Sequence, residues 1–298
     1  MTTKPLTTTQ FFRQFPDDES CLQHLFNVRF GQGYECPSCG RPSNWYRIKA
    51  ERAYSCQWCG HHLHPTVGTP FEQTRTPLQL WFYAIHLFTT TRHGVSAKEL
   101  QRQLGVTYKT AWRMAGLIRE HMADVDGTDP IGGLGEVVEI DETIMGGSVS
   151  GKGNGYMGNK SVVVGMLHRG GEIVTKVVST RTRGPMEALI QTHVLPGTTV
   201  STDEFGSYRF LNQLGYAHQT VNHNRGQHVG KNGASTNQIE GFWRHLKCSI
   251  AGTHISVSPK HMARYVGEFE YRFNRRNDPA SMLPELLSIF RPLTPKRG

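Results

Sequence analysis

The hexapeptide EVVEID at residues 136–141 reads as a short strand that ends in an acid, and TTVSTD at 198–203 has the same form. Runs of β-branched residues bounded by polar ones are what a buried strand requires. Between them, SVVVGMLH (161–168) and EIVTKVVS (172–179) are two more strands, joined as a hairpin through Arg169-Gly170-Gly171. Pro185 to His193 has a helical pattern. Beyond Asp203, Ser207 to Leu214 is helical and Ala217 to Asn222 is a further short strand. A long helix begins near Asn237.

Three strands, a helix, then alternating strand and helix is the element order of a ribonuclease-H-like fold, an α/β architecture with a mixed sheet and flanking helices. The helix from Asn237 carries two stripes. Ile239, Phe242, Trp243, Leu246 and Ile250 recur at three- and four-residue steps and form an apolar face. Asn237, Glu240, Arg244 and Lys247 recur in the same way and form a polar one. Seven residues are almost two turns, so Glu240 and Lys247 face the same direction.

Asp141, Asp203 and Glu240 thus stand at two strand ends and on one helix face, in a fold that gathers such groups. Cleavage of a phosphodiester needs its charge neutralised, an attacking hydroxyl activated and a leaving oxyanion stabilised. Two Mg²⁺ or Mn²⁺ ions about 4 Å apart do all three, held by hard oxygen ligands. Glu142 and Glu204 compete for the two strand positions, because one step along a strand reverses the side chain. Glu139 is a further candidate. Asp141 and Asp203 are preferred because a short side chain on a rigid strand positions an ion well.

The glycine-rich stretch from Gly146 to Gly158 contains G-x-G-x-x-G at Gly153, Gly155 and Gly158, but a Val-rich strand follows where a dinucleotide fingerprint needs a helix. Asn159 separates Gly158 from Lys160, which excludes a phosphate-binding loop. The stretch reads as a flexible connection, with Lys152 and Lys160 placed to touch phosphates.

Cys36-Pro37-Ser38-Cys39 and Cys56-Gln57-Trp58-Cys59 are two CxxC pairs separated by the sixteen residues 40–55. Each is followed by a glycine, Gly40 or Gly60. Four thiolates at this spacing suit structural Zn²⁺ in a closed tetrahedral shell. Trp45 to Ile48 and Arg52 to Ser55 supply the two short strands of a zinc ribbon. His61, His62 and His64 follow an already complete shell and read as surface or DNA-facing residues. Cys21 and Cys248 have no assigned role.

Pro77 to Thr91 is an apolar helix, with proline near its first turn. Ser96 to Leu104 opens with the capping box Ser96-x-x-Glu99. Gly105 closes it, and a helix from Tyr108 to Met122 follows. The two helices joined through Gly105-Val106-Thr107 read as a helix-turn-helix with Tyr108, Lys109, Thr110 and Arg113 at the front of the recognition helix. Asp124 to Gly135, rich in Asp, Gly and Pro, is a linker. The expected division is 1–75 for the N-terminal segment with the ribbon, 76–122 for the helical DNA-binding segment, 123–135 for the linker and 136–298 for the catalytic domain with a basic tail.

The composition agrees. The chain has 298 residues, 33 Lys and Arg against 24 Asp and Glu, and a formal charge of +9. Residues 241–298 hold ten Lys and Arg against four Asp and Glu. That balance favours an anionic partner, nucleic acid first, and Arg272, Arg275 and Arg276 cluster just beyond the long helix. A 37% hydrophobic fraction argues against a disordered chain. No apolar run approaches a membrane span. The first ten residues lack the apolar core of a secretory signal. Six cysteines do not make a disulfide scaffold, and the expected location is the cytoplasm.

VEIDETIMGG (138–147), STDEFGSY (201–208) and TNQIEGFWRHLKCSIAGTHISVSPKHMARYVGEFEYRFNRR (236–276) resemble the catalytic domain of bacterial insertion-sequence transposases of the DDE class. The subgroup is the one with an N-terminal zinc ribbon, and residues 11–40 resemble its start. The resemblance implies that Asp141, Asp203 and Glu240 are the catalytic triad and that Lys247 contacts transposon-end DNA. Some members of the subgroup use Asn as the third metal-site residue, which makes Asn237 the alternative to Glu240. The family motif commonly has Tyr where Ile144 stands. The implied activity is Mg²⁺-dependent cleavage at terminal inverted repeats followed by strand transfer into target DNA, by a homodimer or larger assembly at the bacterial nucleoid. A metal-dependent nuclease or resolvase that never joins, and an inactive DNA-binding regulator, are the rival readings.

Overall fold

The computed structural model describes residues 4–127, 129–146, 158–203, 208, 210–221, 230 and 233–290. Lys152 with most of the glycine-rich stretch, Glu204, Asn222 and residues 291–298 of the basic tail lie outside the described residues. The chain divides into two compact units. One contains Met1–Thr91, Val95–Val125 and Asn277–Gly298; the other contains Arg92–Gly94 and Asp126–Arg276.

The first unit opens with helices α1 (Thr8–Gln14) and α2 (Asp18–Arg29), each started by a reciprocal cap, Thr7 with Gln10 and Asp17 with Ser20. A three-stranded antiparallel sheet follows, β1 (Trp45–Ile48), β2 (Ala53–Cys56) and β3 (His62–Leu63), in the order β1-β2-β3. Next come α3 (Leu78–Thr90), α4 (Ala97–Leu104) and α5 (Tyr108–Asp126). The cap at Ser96 is half of the expected box: its hydroxyl accepts from Glu99 N at 3.1 Å, while the Glu99 carboxylate accepts from Arg102 and Gln103 instead. Helix α5 continues four residues past Met122, so the start of the expected linker is helical.

Helix α9 (Met282–Ser288) also belongs to this unit. Its last turn has orphan carbonyls, and two histidines meet them: His24 Nε2 lies 3.1 Å from Leu287 O and His121 Nε2 lies 2.9 Å from Leu286 O.

The second unit is mixed α/β. Its sheet contains β4 (Val137–Gly146), β5 (Lys160–His168), β6 (Ile173–Val178), β7 (Thr199–Asp203) and β8 (Ala217–Val221) in the order β6-β5-β4-β7-β8. β6, β5 and β4 are antiparallel neighbours, whereas β4, β7 and β8 run parallel. The strand expected to stop at Asp141 instead runs to Gly146, because β5 pairs with it from Val138 to Gly146; the pairing with β7 stops at Glu139.

Alternation along the strands sends side chains to two cores. Val138, Ile140, Val164, Met166 and Val200 pack with Met186 and Ile190 of α6 (Arg183–His193). Met145, Val163, Leu167 and Ile173 pack on the other face with Ile239, Phe242, Trp243 and Leu246 of α7 (Asn237–Thr253) and with Val266 and Phe269 of α8 (Pro259–Asn274). The apolar stripe read on the 237 helix is therefore the one buried against the sheet. Between β7 and β8, residues Leu211–Leu214 form a short 3₁₀ turn.

Candidate active site and zinc centre

The geometry of the acids starts from one parallel register, in which Glu139 of β4 lies opposite Ser201 of β7. Asp141 and Asp203 each stand two residues beyond that last pair, at the carboxyl ends of neighbouring parallel strands, and near enough for the charge of Asp203 to act on Asp141. Both acids belong to the face that carries α7, because side chains two apart share a face. In open α/β sheets the carboxyl ends of parallel strands are where ligands bind.

Helix α7 is fixed to that face at its first turn. Glu139 is almost fully buried; its Oε2 accepts from Gln238 N at 3.0 Å and Ile239 N at 3.1 Å, and its Oε1 accepts from Arg169 Nε at 3.0 Å. Thr236 at the N-cap makes no side-chain cap bond and Ser235 Oγ accepts only from Asn237 N at 3.1 Å, so a carboxylate from β4 takes the next two N–H groups, where negative charge is also favoured by the helix dipole. Ser201 adds a second tether: its hydroxyl donates to Ser235 O at 2.8 Å and accepts from Ser235 N at 2.9 Å. Both oxygens of Glu139 are engaged, which makes it a structural cap among the candidate acids.

One turn further on, Trp243 Nε1 donates to Asp141 Oδ2 at 3.1 Å. At 3.6 residues per turn, Glu240 lies about 60° around the helix from Trp243 and Asn237 about 120°. Glu240 and Asn237 are both exposed, and Thr236 Oγ1 donates to Glu240 Oε1 at 3.0 Å. Burial pushes the Asp141 carboxyl up to about 6, with the charges of Glu142 and Asp203 adding to the effect. Half-buried carboxylates crowded in this way are costly without a counter-charge. Their hard oxygen donors fit Mg²⁺ or Mn²⁺.

Glu142 points the opposite way from Asp141. Tyr208 OH donates to its Oε2 at 2.5 Å and Arg181 Nη1 stands 3.5 Å from its Oε1. Tyr208 is fully buried, and burial next to Glu142 drives its phenol well above the ordinary range. Sequence reading missed Tyr208 and Arg181, which have no periodicity to mark them. It also took Trp243 as core packing alone. The available signal was that a buried indole N–H needs an acceptor.

Of the basic residues expected at DNA, Arg244 and Lys247 are exposed on α7 and Lys109 and Arg113 are exposed near the start of α5. Tyr108 and Trp112, one turn apart on α5, are also exposed, and Lys98 Nζ sits 4.9 Å above the Tyr108 ring. Trp112 was not singled out from the sequence. Arg272, Arg275 and Arg276 are engaged within their own unit. Arg272 pairs with the buried Glu268 at 2.9 Å, Arg275 with Asp126, and Arg276 donates to Phe273 O and Gly171 O.

The four cysteines form a separate centre. Their sulfurs all lie within 4.8 Å of one another, with Cys36–Cys59 at 3.7 Å and Cys39–Cys56 at 3.9 Å. Tetrahedral Zn²⁺ with Zn–S near 2.3 Å sets sulfurs about 3.8 Å apart, so the shell fits zinc as it stands. Gly40 and Gly60 close the knuckles at φ 65° and 70°, the left-handed region where glycine is free of strain. Ser43 Oγ donates to Cys56 Sγ at 3.2 Å and Trp58 N does so at 3.4 Å, which favours the thiolate. Among the described residues, no histidine enters the cysteine group. His62 lies 3.5 Å from Glu51 and, like His64, is exposed.

Among the described residues, no helix is long and apolar enough to cross a membrane. Residues 133–274 match a family model described as an ISXO2-like transposase domain, and residues 16–62 match a transposase zinc-ribbon domain. A protein in transposable element ISH50 of Halobacterium salinarum is 25% identical over 279 residues, covering 87% of this chain and 92% of the relative. A transposase-like protein of Haemophilus influenzae is 30% identical over 103 residues, covering 35% of this chain and 81% of the relative. The chain belongs to the insertion-sequence transposases in which a zinc ribbon precedes an ISXO2-like transposase domain.

Proposed function

We propose that the protein cuts the ends of its insertion sequence and joins them to target DNA. The observation that carries this reading is the placement of Asp141 and Asp203 on neighbouring parallel strands, facing the first turns of α7, where Glu240 is exposed. The strand order, with α6 on one face and α7 and α8 on the other, supports a ribonuclease-H-like assignment for residues 136–276. The turn at Gly105 between α4 and α5 supports a helix-turn-helix. The division into ribbon (1–75), helices (76–122), linker (123–135) and catalytic domain (136–298) remains our functional assignment.

A pair of Mg²⁺ or Mn²⁺ ions, when bound, would neutralise the phosphodiester, activate the attacking hydroxyl and stabilise the leaving oxyanion. Asp141 and Asp203 would hold such ions from the rigid sheet, and Glu240 would close the site from the helix, with Asn237 as its alternative. Hydrolysis at each end frees a 3′-hydroxyl. That hydroxyl then attacks target DNA in a phosphodiester exchange, with no covalent link to protein. Arg244 and Lys247, on the same side of α7 as Glu240, would bind the backbone of end DNA. Lys109, Arg113, Tyr108 and Trp112 would meet the terminal repeats. Phosphate contacts supply affinity and base contacts supply specificity. The engaged guanidinium groups of Arg272, Arg275 and Arg276 would add positive potential at the end of α8. Cys36, Cys39, Cys56 and Cys59 would hold a structural Zn²⁺. Two ends require two active sites, so the working form is a dimer or larger, acting at the nucleoid.

The test is incubation of the protein with DNA carrying the element's ends and Mg²⁺. Nicked ends and joined products are expected; cleavage without joining would leave a nuclease, and neither would leave a DNA-binding regulator.

A further inference from the structure

Trp243 is buried, 4% exposed, and its indole N–H is spent on one oxygen of one acid, Asp141 Oδ2. The ring can reach that acid because of a gap on the next strand. Gly165 is paired directly with Asp141 across β4 and β5. A Cβ on Gly165 would lie 2.6 Å from Trp243 Cζ2, 2.9 Å from its Cη2 and 3.0 Å from Ile239 Cδ1. The backbone of Gly165 is not in the left-handed region, so no conformational need explains a glycine there. What the site requires is room for the ring.

We infer that Gly165 and Trp243 form a positioning device for Asp141. The ring fills the slot that Gly165 leaves, the indole N–H holds Oδ2, and the rotation of the carboxylate about its terminal bond, otherwise soft, is fixed. Oδ1 is then the oxygen left for a divalent ion. Packing by itself would be served by Phe, which fills most of the slot without donating. Trp243 is thus a positioning residue, acting through Asp141. The inference rests on the proposed role of Asp141 in holding the ion.

The experiment is direct Mn²⁺ titration of the full-length, zinc-loaded protein, followed by electron paramagnetic resonance into the millimolar range, with melting temperature measured in parallel. Wild type is compared with Asp141→Asn, Trp243→Phe, Gly165→Ala and the Gly165→Ala/Trp243→Phe double variant. Trp243→Phe is expected to weaken Mn²⁺ about tenfold with little change in melting temperature. Gly165→Ala should do the same in the wild-type background and add little in the Phe background, since both act through one ring. Should Phe unfold the protein, benzothienylalanine at 243 keeps the ring shape and removes only the N–H. Wild-type affinity in Trp243→Phe or its benzothienyl equivalent, with binding lost in Asp141→Asn, would overturn the positioning role and leave Asp141's role intact. Unchanged binding in Asp141→Asn, or no Mn²⁺ binding by wild type, would sink both.

Discussion

The zinc centre and the acid cluster are built in opposite ways. All four sulfurs come from two knuckles within residues 36–59, and the turns that place them are local. Asp141, Asp203 and Glu240 come from β4, β7 and α7, far apart in the chain, and only a sheet register and a capped helix relate their positions. The first site is small, its strands burying only Trp45, Ala53, Tyr54 and Leu63. The second sits on two apolar cores, one on each face of its sheet, so its scaffold is built without any ion.

Breaking each side should therefore look different. Cys56→Ser is expected to have the largest effect: loss of bound zinc, measured by atomic absorption, and rapid proteolysis around residues 36–63. Structural zinc contributes about 10–16 kcal/mol to the folding of small zinc domains. The melting of the other unit should be unchanged. Asp203→Asn should do the reverse, leaving zinc content and melting temperature intact while end-nicking slows about a thousandfold or more, ~4 kcal/mol. A wild-type rate in that variant would remove Asp203 from the site.

Glu139→Ala sharpens the contrast, because it attacks the scaffold of the acid cluster without touching a proposed ligand. It strips the cap from two helix N–H groups and leaves Arg169 without its carboxylate. Leaving buried helix N–H groups without their acceptor costs about 1–3 kcal/mol, readable by urea denaturation as a lower midpoint for this unit alone. The smallest effect is expected at Glu270 on α8, whose buried carboxylate accepts from Thr175 N and Oγ1. Burial, with Asp126 adding, pushes it up to about 7 from 4.5, while Lys176 opposes. A raised carboxyl in the folded state contributes stability that is full below the unfolded value and lost as pH rises through the folded one. Melting temperature should thus fall between pH 5 and 8, and Glu270→Gln should flatten that slope.

The same contrast explains what could be read from the chain itself. The CxxC pairs carry their geometry in their spacing, and the apolar stripe of α7 identified its buried face. Strand alternation put Asp141 and Glu142 on opposite faces but could not say which face met the helix; the tether from Glu139 to Gln238 and Ile239 decides that. Trp243's bond to Asp141 depends on Gly165, a residue that sequence treats as one more member of a Val-rich strand. Arg272, Arg275 and Arg276 looked like a free basic cluster because Glu268, Asp126 and the Gly171 carbonyl, their partners, are not all nearby in sequence. Helices α1, α2, α8 and α9 were not read from the sequence, because their work is packing, which leaves no chemical motif.

The carboxylate of Glu139 makes β4 a ruler. It holds the start of α7, and Asp141 stands two residues further along the same face. Inserting one residue between them would turn Asp141 toward the opposite core. Inserting two would keep its face but slide it about 7 Å along the strand, away from Trp243 and the Asp203 register. Relatives of this chain should therefore vary in length between their acids, in the connections from β4 to β7 and from β7 to α7, yet keep the interval from helix cap to first acid fixed at two.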